Sequence, residues 1–355
     1  MTDTGLEPRL AEPRLARVDV VVSSPAPTPL PQSRLRRARS SFVAFALLVV
    51  ALNLAFGLAA EVNPRLRDPA YGDKLAKLQT KTPDVLMLGS SRTLLGFHAG
   101  RAEETTGRTA FNFGTPATGP ITHLVYLNRL LKHGVRPKHL LVEVLPSMLA
   151  DGSGGPIEQA FLSGERLTAD ELDTVERFGF DPAVVRPAWR EAVFAPWWKL
   201  RFQVLGRLSP SWLPWHLRYD WSRTADARGW ATPPRQETTA EERTEQLAKV
   251  RTEYAGTLAA MDPDGRPLEA LRELIAVCRT NDIPVSLVLM PEADTFRALY
   301  PPGLEERVMK CVQSLGVPLI DARRWLDESD FYDGHHPFTR GAETFTDRLM
   351  REVLP

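Results

Sequence analysis

The stretch DVLMLGSSRTLLGF, residues 84–97, reads as a strand that turns directly into a helix. Its first part is a short aliphatic run, the composition of a strand buried on both faces. The run stops at Gly89-Ser90-Ser91-Arg92, after which Leu94, Leu95 and Phe97 begin a helix-like pattern. A serine at such a corner is a common helix cap, because its hydroxyl accepts from a backbone N–H that the first turn leaves unpaired. One hydroxyl suffices for a cap, so the second raises a question that the rest of the chain must answer.

Four further runs have the same character: TAFNF (109–113), HLLVEV (139–144), PVSLVLM (284–290) and VPLID (317–321). Helical segments lie between them, including ITHLVYLNRLLKHG, LEALRELIAVCRTND and GLEERVMKCVQSLG. Strand and helix in alternation predict an α/β domain with a doubly wound (flavodoxin-like), five-stranded parallel sheet. Such sheets bind ligands at the carboxyl ends of their strands, which is where Gly89, Ser90 and Ser91 fall. Residues 151–262 are too long for an ordinary crossover and predict a helical, aromatic-rich insertion, so that the α/β domain comprises 61–150 and 263–355. Trp197, Trp198, Trp212, Trp215 and Trp221 lie among arginines in this insertion. They suit either the junction between a helical cap and the core or a membrane interface, where Trp and Arg sit comfortably together. Those near the strand ends would also serve as a wall over Ser91.

Upstream, residues 1–40 are rich in Pro, Arg and Ser and predict a disordered tail. Arg34, Arg36, Arg37 and Arg39 immediately precede SFVAFALLVVALNLAFGLAA, residues 41–60, which carries no charge. Twenty such residues just span a bilayer, and the arginines predict a cytoplasmic tail with everything from residue 61 outside, a single-pass membrane protein with a periplasmic domain. A cleaved signal peptide and a buried soluble helix are the competing readings of the run.

The chain has 355 residues, 43% hydrophobic and 25% charged, enough to bury a large core. With 44 basic and 44 acidic side chains it has no global field to draw it to nucleic acid. Its two cysteines, Cys278 and Cys311, sit in helical patterns without a metal-binding spacing and read as core thiols, with a pairing between them left open.

The answer to the second hydroxyl lies near the C-terminus, in FYDGHHPFTRG. Asp333 and His336 are three residues apart at a loop-to-helix corner, so one short segment supplies an imidazole base and a carboxylate to orient it. A serine is nearly inert at neutral pH without such a base. The same spacing also suits a turn with His336 at a helix start. Because the segment follows the last strand, it emerges at the same sheet edge as Ser91.

Strand-Gly-Ser-Ser at the first corner and Asp-x-x-His at the last resemble the first and last blocks of the SGNH (GDSL-like) hydrolase superfamily. The likeness covers about residues 80–150 and 265–355. The Gly-Ser-Ser variant behind an anchor is similar to the membrane-anchored branch, which includes proteins of alginate O-acetylation and teichoic-acid D-alanylation. The resemblance implies Ser91 as nucleophile, His336 as base and Asp333 as its partner, with Ser90 replacing a usual acidic residue. It implies an oxyanion hole from the N–H groups of Ser91 and Gly114, although Gly114 is equally a turn glycine. The third block's asparagine is absent here; Leu145, Pro146 and Ser147 follow the strand, and the Ser147 hydroxyl is its stand-in. Arg92, Glu292 and Arg297 are candidates to bind substrate, each with a structural alternative as an ion pair or solvated charge. Glu143, inside the third strand run, calls for a buried partner.

Together these residues predict an anchored serine esterase or O-acyltransferase acting on an acylated carbohydrate or envelope glycan. No metal or organic cofactor is implied; a transferase would call for a membrane partner protein that delivers the acyl group. A catalytically silent envelope module on the same fold is the alternative, supported by the missing asparagine, and a scaffold of unrelated topology is a third.

Overall fold

Side chains of the first strand divide alternately between two cores, as a period of two requires when both faces of a sheet are covered. Leu86 and Leu88 join Phe113, Leu124, Leu127, Leu271 and Leu274 on one face. Val85 and Met87 join Phe97, Leu141, Phe345 and Leu349 on the other. The computed structural model describes residues 32–79, 82–152, 155–214, 218, 224–233 and 236–354. The chain divides into two units, residues 1–50 and 51–355.

In the first unit, Phe42, Phe45, Leu47 and Leu48 are exposed on helix α1 (Gln32–Val62). The stretch Arg36–Ala60 is long and apolar enough to cross a membrane. The helix begins upstream of residue 41, since Arg, Ala and Leu in RLRRARSS are good helix formers. The rest of the expected tail, residues 1–31, lies outside the described residues.

The second unit contains strands β1 (Val85–Gly89), β2 (Ala110–Gly114), β3 (His139–Glu143), β4 (Val285–Leu289) and β5 (Leu319–Asp321). All pair in parallel in the order β2-β1-β3-β4-β5, the doubly wound sheet expected. Helix α2 (Pro69–Leu78) precedes β1, and the short α3 (Ser91–Gly96) follows it. Then come α4 (Ala99–Thr106) and α5 (Pro120–Lys132). The insertion supplies α6 (Ala169–Arg177), α7 (Pro182–Phe194), α8 (Pro196–Leu208) and α9 (Ala240–Ala260). Helices α10 (Arg266–Thr280), α11 (Leu304–Gln313) and α12 (Thr339–Val353) complete the domain. Leu124, Leu271 and Val308 place α5, α10 and α11 in the first core, whereas Ala102 and Phe345 place α4 and α12 in the second.

Leu167, Leu172, Phe178 and Phe180 carry the insertion into the first core. Trp197, Trp198 and Trp212 do not fill that junction but remain exposed, whereas Trp189 packs against the first core. Trp215 and Trp221 lie outside the described residues. A buried network ties the insertion down instead. Arg129 of α5 donates to Asp68 at 2.8 Å and to both carboxylate oxygens of Glu171 at 2.8 Å. Glu158 accepts from the N–H groups of Gly119, Ile121 and Thr122 at 2.8 to 3.1 Å, holding the first turn of α5, whose N–H groups lack helical partners. The outer edge of β2 is covered as well: Asn112 N–H donates to Arg228 O at 2.9 Å. Cys278 and Cys311 are both free, and burial pushes the Cys278 thiol up to about 12.

Candidate active site

The two hydroxyls at the first corner have separate tasks. Ser90 is the N-cap of α3 and accepts from Arg92 N–H at 3.2 Å. Its own hydroxyl donates to Glu143 Oε1 at 2.8 Å, and its N–H donates to Oε2 at 2.7 Å. Thr93 Oγ1 adds a third hydrogen bond to Glu143, at 2.6 Å. The buried carboxylate at the end of β3 thus gathers the backbone and side chains that flank Ser91. Gly89 is required beside it, since a Cβ there would stand 1.9 Å from Thr93 Oγ1 and 2.4 Å from Glu143 Oε2.

Ser91, left half-buried as the first residue of α3, points elsewhere. Its Oγ lies 2.8 Å from His336 Nε2, and His336 Nδ1 lies 2.7 Å from Asp333 Oδ2. Asp333 Oδ1 accepts from the N–H groups of His335 and His336 at 3.2 and 2.8 Å, which folds Asp333–His336 into a tight turn. Gly334 sits in that turn at φ 89°, a conformation that side chains other than glycine adopt rarely. Tyr332 stacks on the His336 ring with an interplanar angle of 13°. Burial alone would raise the Asp333 carboxyl, but the two facing histidines and the hydrogen bond from His336 outweigh it and hold the group below the usual carboxylate range. With Asp333 ionised, the neutral imidazole carries its proton on Nδ1 and offers Nε2 to the serine.

His335 packs between His336 and the rings of Tyr254 and Phe296, with Nδ1 3.5 Å from Asp333 Oδ1, and burial lowers its pKa to about 3 despite the opposing pull of Asp333. Asp333, His335 and His336 are close enough to share a cation, but both ring nitrogens of His336 are already engaged by Asp333 and Ser91.

The helix that covers this turn is α9. Arg243 donates to Glu328 O and Phe331 O at 2.7 and 2.9 Å, and the Tyr254 ring meets His335 edge-on. Glu253 on the same helix lies in the field of the site: desolvation pushes its carboxyl up, His336 pulls it down and Asp333 adds to the push. Of the tryptophans expected as a wall, Trp197 packs on Phe56 and Trp198 and Trp212 are exposed, while Trp215 lies outside the described residues.

Other candidates are placed differently from expectation. Gly114 N–H donates to Asn112 Oδ1 at 2.8 Å, so its donor is already used and it does not serve an oxyanion. Its role is steric, since a Cβ would meet Leu94 N at 2.3 Å. Asn112, in turn, donates to Thr93 O and Phe97 O at 2.7 Å and fastens α3 to β2. Ser147 is buried on the turn after β3, and its Oγ has no hydrogen-bond partner among the described residues. Arg92 and Glu292, both 1% exposed, pair with each other at 2.9 Å, and Arg92 also donates to Met290 O and Pro291 O. Arg297 donates to Glu292 O and Arg323 O and pairs with Asp294. The contacts of these three charges brace the loop after β4, while Arg92 Nε and Glu292 Oε2 have no hydrogen-bond partner among the described residues. Glu143 and Asn112 are the residues that sequence reasoning left without a role; an acid and an amide inside otherwise apolar strands were their only signal.

A family model described as a protein of unknown function (DUF1574) matches residues 64–195. No curated protein matches the chain. Among solved structures, a "putative acylhydrolase" from Bacteroides fragilis NCTC 9343 is 11% identical, with 79% of this chain and 95% of that one covered at a TM-score of 0.35. A "GDSL-like lipase" from Bacteroides thetaiotaomicron VPI-5482 is 10% identical, with 78% and 90% covered at a TM-score of 0.32. Likeness this remote leaves the functional argument to the geometry.

Proposed function

We propose that the protein is a membrane-anchored serine esterase or O-acyltransferase of the SGNH (GDSL-like) type. The observation that carries the proposal is the hydrogen-bonded series Ser91 Oγ, His336 Nε2, His336 Nδ1 and Asp333 Oδ2, with contacts of 2.8 and 2.7 Å. Ser91 Oγ attacks the acyl carbonyl while His336 Nε2 takes its proton, and Asp333 steadies the imidazolium. The ester C–O bond then breaks as His336 returns that proton to the leaving alcohol, and water or an acceptor hydroxyl releases the acyl group from Ser91 by the same route. Ser91 N–H, at the first helical position and so without an intrahelical partner, is one donor to the oxyanion, and the Ser147 hydroxyl is the second.

A carbohydrate acceptor and an extracytoplasmic site belong to this proposal. Their support is the anchor stretch Arg36–Ala60 and the resemblance read in the motifs. A reporter active only in the cytoplasm, fused after Pro355, should stay dark; a bright one overturns the orientation. Hydrolysis and transfer are separated by following acyl release from a chromogenic ester with and without an oligosaccharide. Transfer predicts faster release with the sugar, and a sugar whose mass has gained an acyl group; fast release in water alone means an esterase. One observation favours the silent module instead: the Gly114 N–H is already satisfied by Asn112, which leaves fewer donors for an oxyanion. That reading predicts no release under either condition.

A further inference from the structure

Helix α8 and the end of α7 leave bare an apolar surface that neither core uses. Phe194 is 77% exposed, Leu208 70%, Trp212 66%, and Trp197 and Trp198 62% each. Large aromatic side chains clustered in this way mark a surface that something covers.

Two features say what covers it. The Trp197 ring meets Phe56 edge-on with centroids 6.2 Å apart, and Pro196 lies beside Gly57. Phe56 and Gly57 belong to the last part of the apolar stretch that ends at Ala60. At about 1.5 Å per residue, Phe56 lies roughly 6 Å short of that end. In a bilayer crossed by the stretch this is the depth of the boundary between acyl chains and headgroups, where tryptophan is enriched. The second feature is the Arg201 guanidinium, which lies 3.8 Å from the centroid of the Trp198 ring and 4.1 Å from that of Phe202. A guanidinium stacked on aromatic rings, and donating to Trp198 O, keeps its charge against apolar carbon, a pairing that the boundary between acyl chains and headgroups accommodates. Trp198, Arg201, Leu205 and Leu208 recur at helical spacings of three, four and three, which puts them on one stripe of α8.

We propose that α8, with Phe194 and Trp212, lies in the headgroup region of the bilayer that α1 crosses and is a second, interfacial attachment of the folded part. The inference rests on reading Arg36–Ala60 as a span. It gives Trp197, Trp198 and Trp212 a lipid partner instead of a sugar or a second copy of the chain.

The full chain is placed at one copy per nanodisc, in phosphatidylethanolamine and phosphatidylglycerol brominated near the headgroup or deep in the acyl chain. Tryptophan fluorescence should be quenched more by the shallow bromines than by the deep ones. In the variant carrying Trp197→Phe, Trp198→Phe and Trp212→Phe most of that quenching should disappear, while the fold remains because these rings are exposed. Undiminished quenching in the variant overturns the proposal. So does unquenched wild type, including the case in which the rings are instead covered by a second copy in vesicles or shift their emission on adding an oligosaccharide. Alkaline carbonate extraction separates the two readings. A chain washed from the membrane contradicts the span itself, whereas one retained without quenching contradicts only the interfacial helix.

Discussion

Glu143 shows how a single buried charge sets the site. It accepts three hydrogen bonds from Ser90 and Thr93, which fasten the Gly-Ser-Ser corner to the end of β3. Glu143→Ala would leave three donors without their acceptor, each costing about 1–3 kcal/mol when buried. The variant is expected to lose at least about 2 kcal/mol in chemical denaturation of the solubilised full chain. Glu143→Gln should recover most of this, because one amide oxygen replaces Oε2 and the Ser90 hydroxyl can turn to accept from the amide nitrogen. An alanine variant as stable as an ordinary surface substitution, within about 0.5 kcal/mol, would contradict the assignment. The importance of this residue was not legible in sequence, since its partner lies 53 residues away and depends on the register of β1 against β3. Ser91, His336 and Asp333 were legible because each sits at a corner where an apolar run ends, and chemistry there stands out from packing. For Arg92 and Glu292 the sequence left an ion pair and a substrate contact both open, for the opposite reason. They stand at the same sheet edge, but a separation of 200 residues hides the pair that neutralises them.

At the scale of elements, all five strands and the helix after the Asp-x-x-His turn were legible because buried parallel strands are unbroken apolar runs. How the long segment between β3 and β4 attaches to the sheet domain was not legible. Its aromatic residues signalled burial, yet the attachment is made by Phe178, Phe180 and the Arg129 network, while Trp197, Trp198 and Trp212 face outward. Arg129 joins Asp68 at the start of α2, Glu171 in α6 and Arg166 O, so one side chain holds three segments. Arg129→Met would keep the volume and leave two carboxylates in a buried site without their shared cation. A loss of about 3–5 kcal/mol is expected by denaturation of the full chain. A loss below about 1 kcal/mol would mean that water or neighbouring arginines take over, and that the insertion is held by apolar contacts alone.

For the whole molecule, two buried histidines make stability depend on pH. Burial lowers the pKa of His123 and of His335 to about 3, the latter against the pull of Asp333. In the unfolded chain each binds a proton near about 6.5, so between these values the unfolded state holds more protons and acid favours unfolding. Their contribution is complete above about pH 6.5 and falls as pH drops toward 3, by up to about 1.4 kcal/mol per pH unit for each histidine. The depressed Asp333 carboxyl acts in the same direction at lower pH: its stabilisation is present above the ordinary carboxylate value and is lost as pH falls toward the folded one. Denaturation midpoints measured from pH 7.5 to 5 should therefore decline, and less steeply in His123→Gln. A flat profile would show that these rings are reached by water.

The central claim is that Ser91 is activated by His336. The measurement that tests it most directly is labelling of the solubilised full chain by a fluorophosphonate, with the modified residue located by mass spectrometry. The label is expected on Ser91 and absent in Ser91→Ala and in His336→Ala. Asp333→Asn should slow labelling by about 10⁴-fold, because the imidazole loses the carboxylate that sets its tautomer. Because nucleophile and base act as one unit, the double variant should lose no more than either single one. Wild type that takes no label, or label that persists in Ser91→Ala or lands on Ser90, would contradict the account.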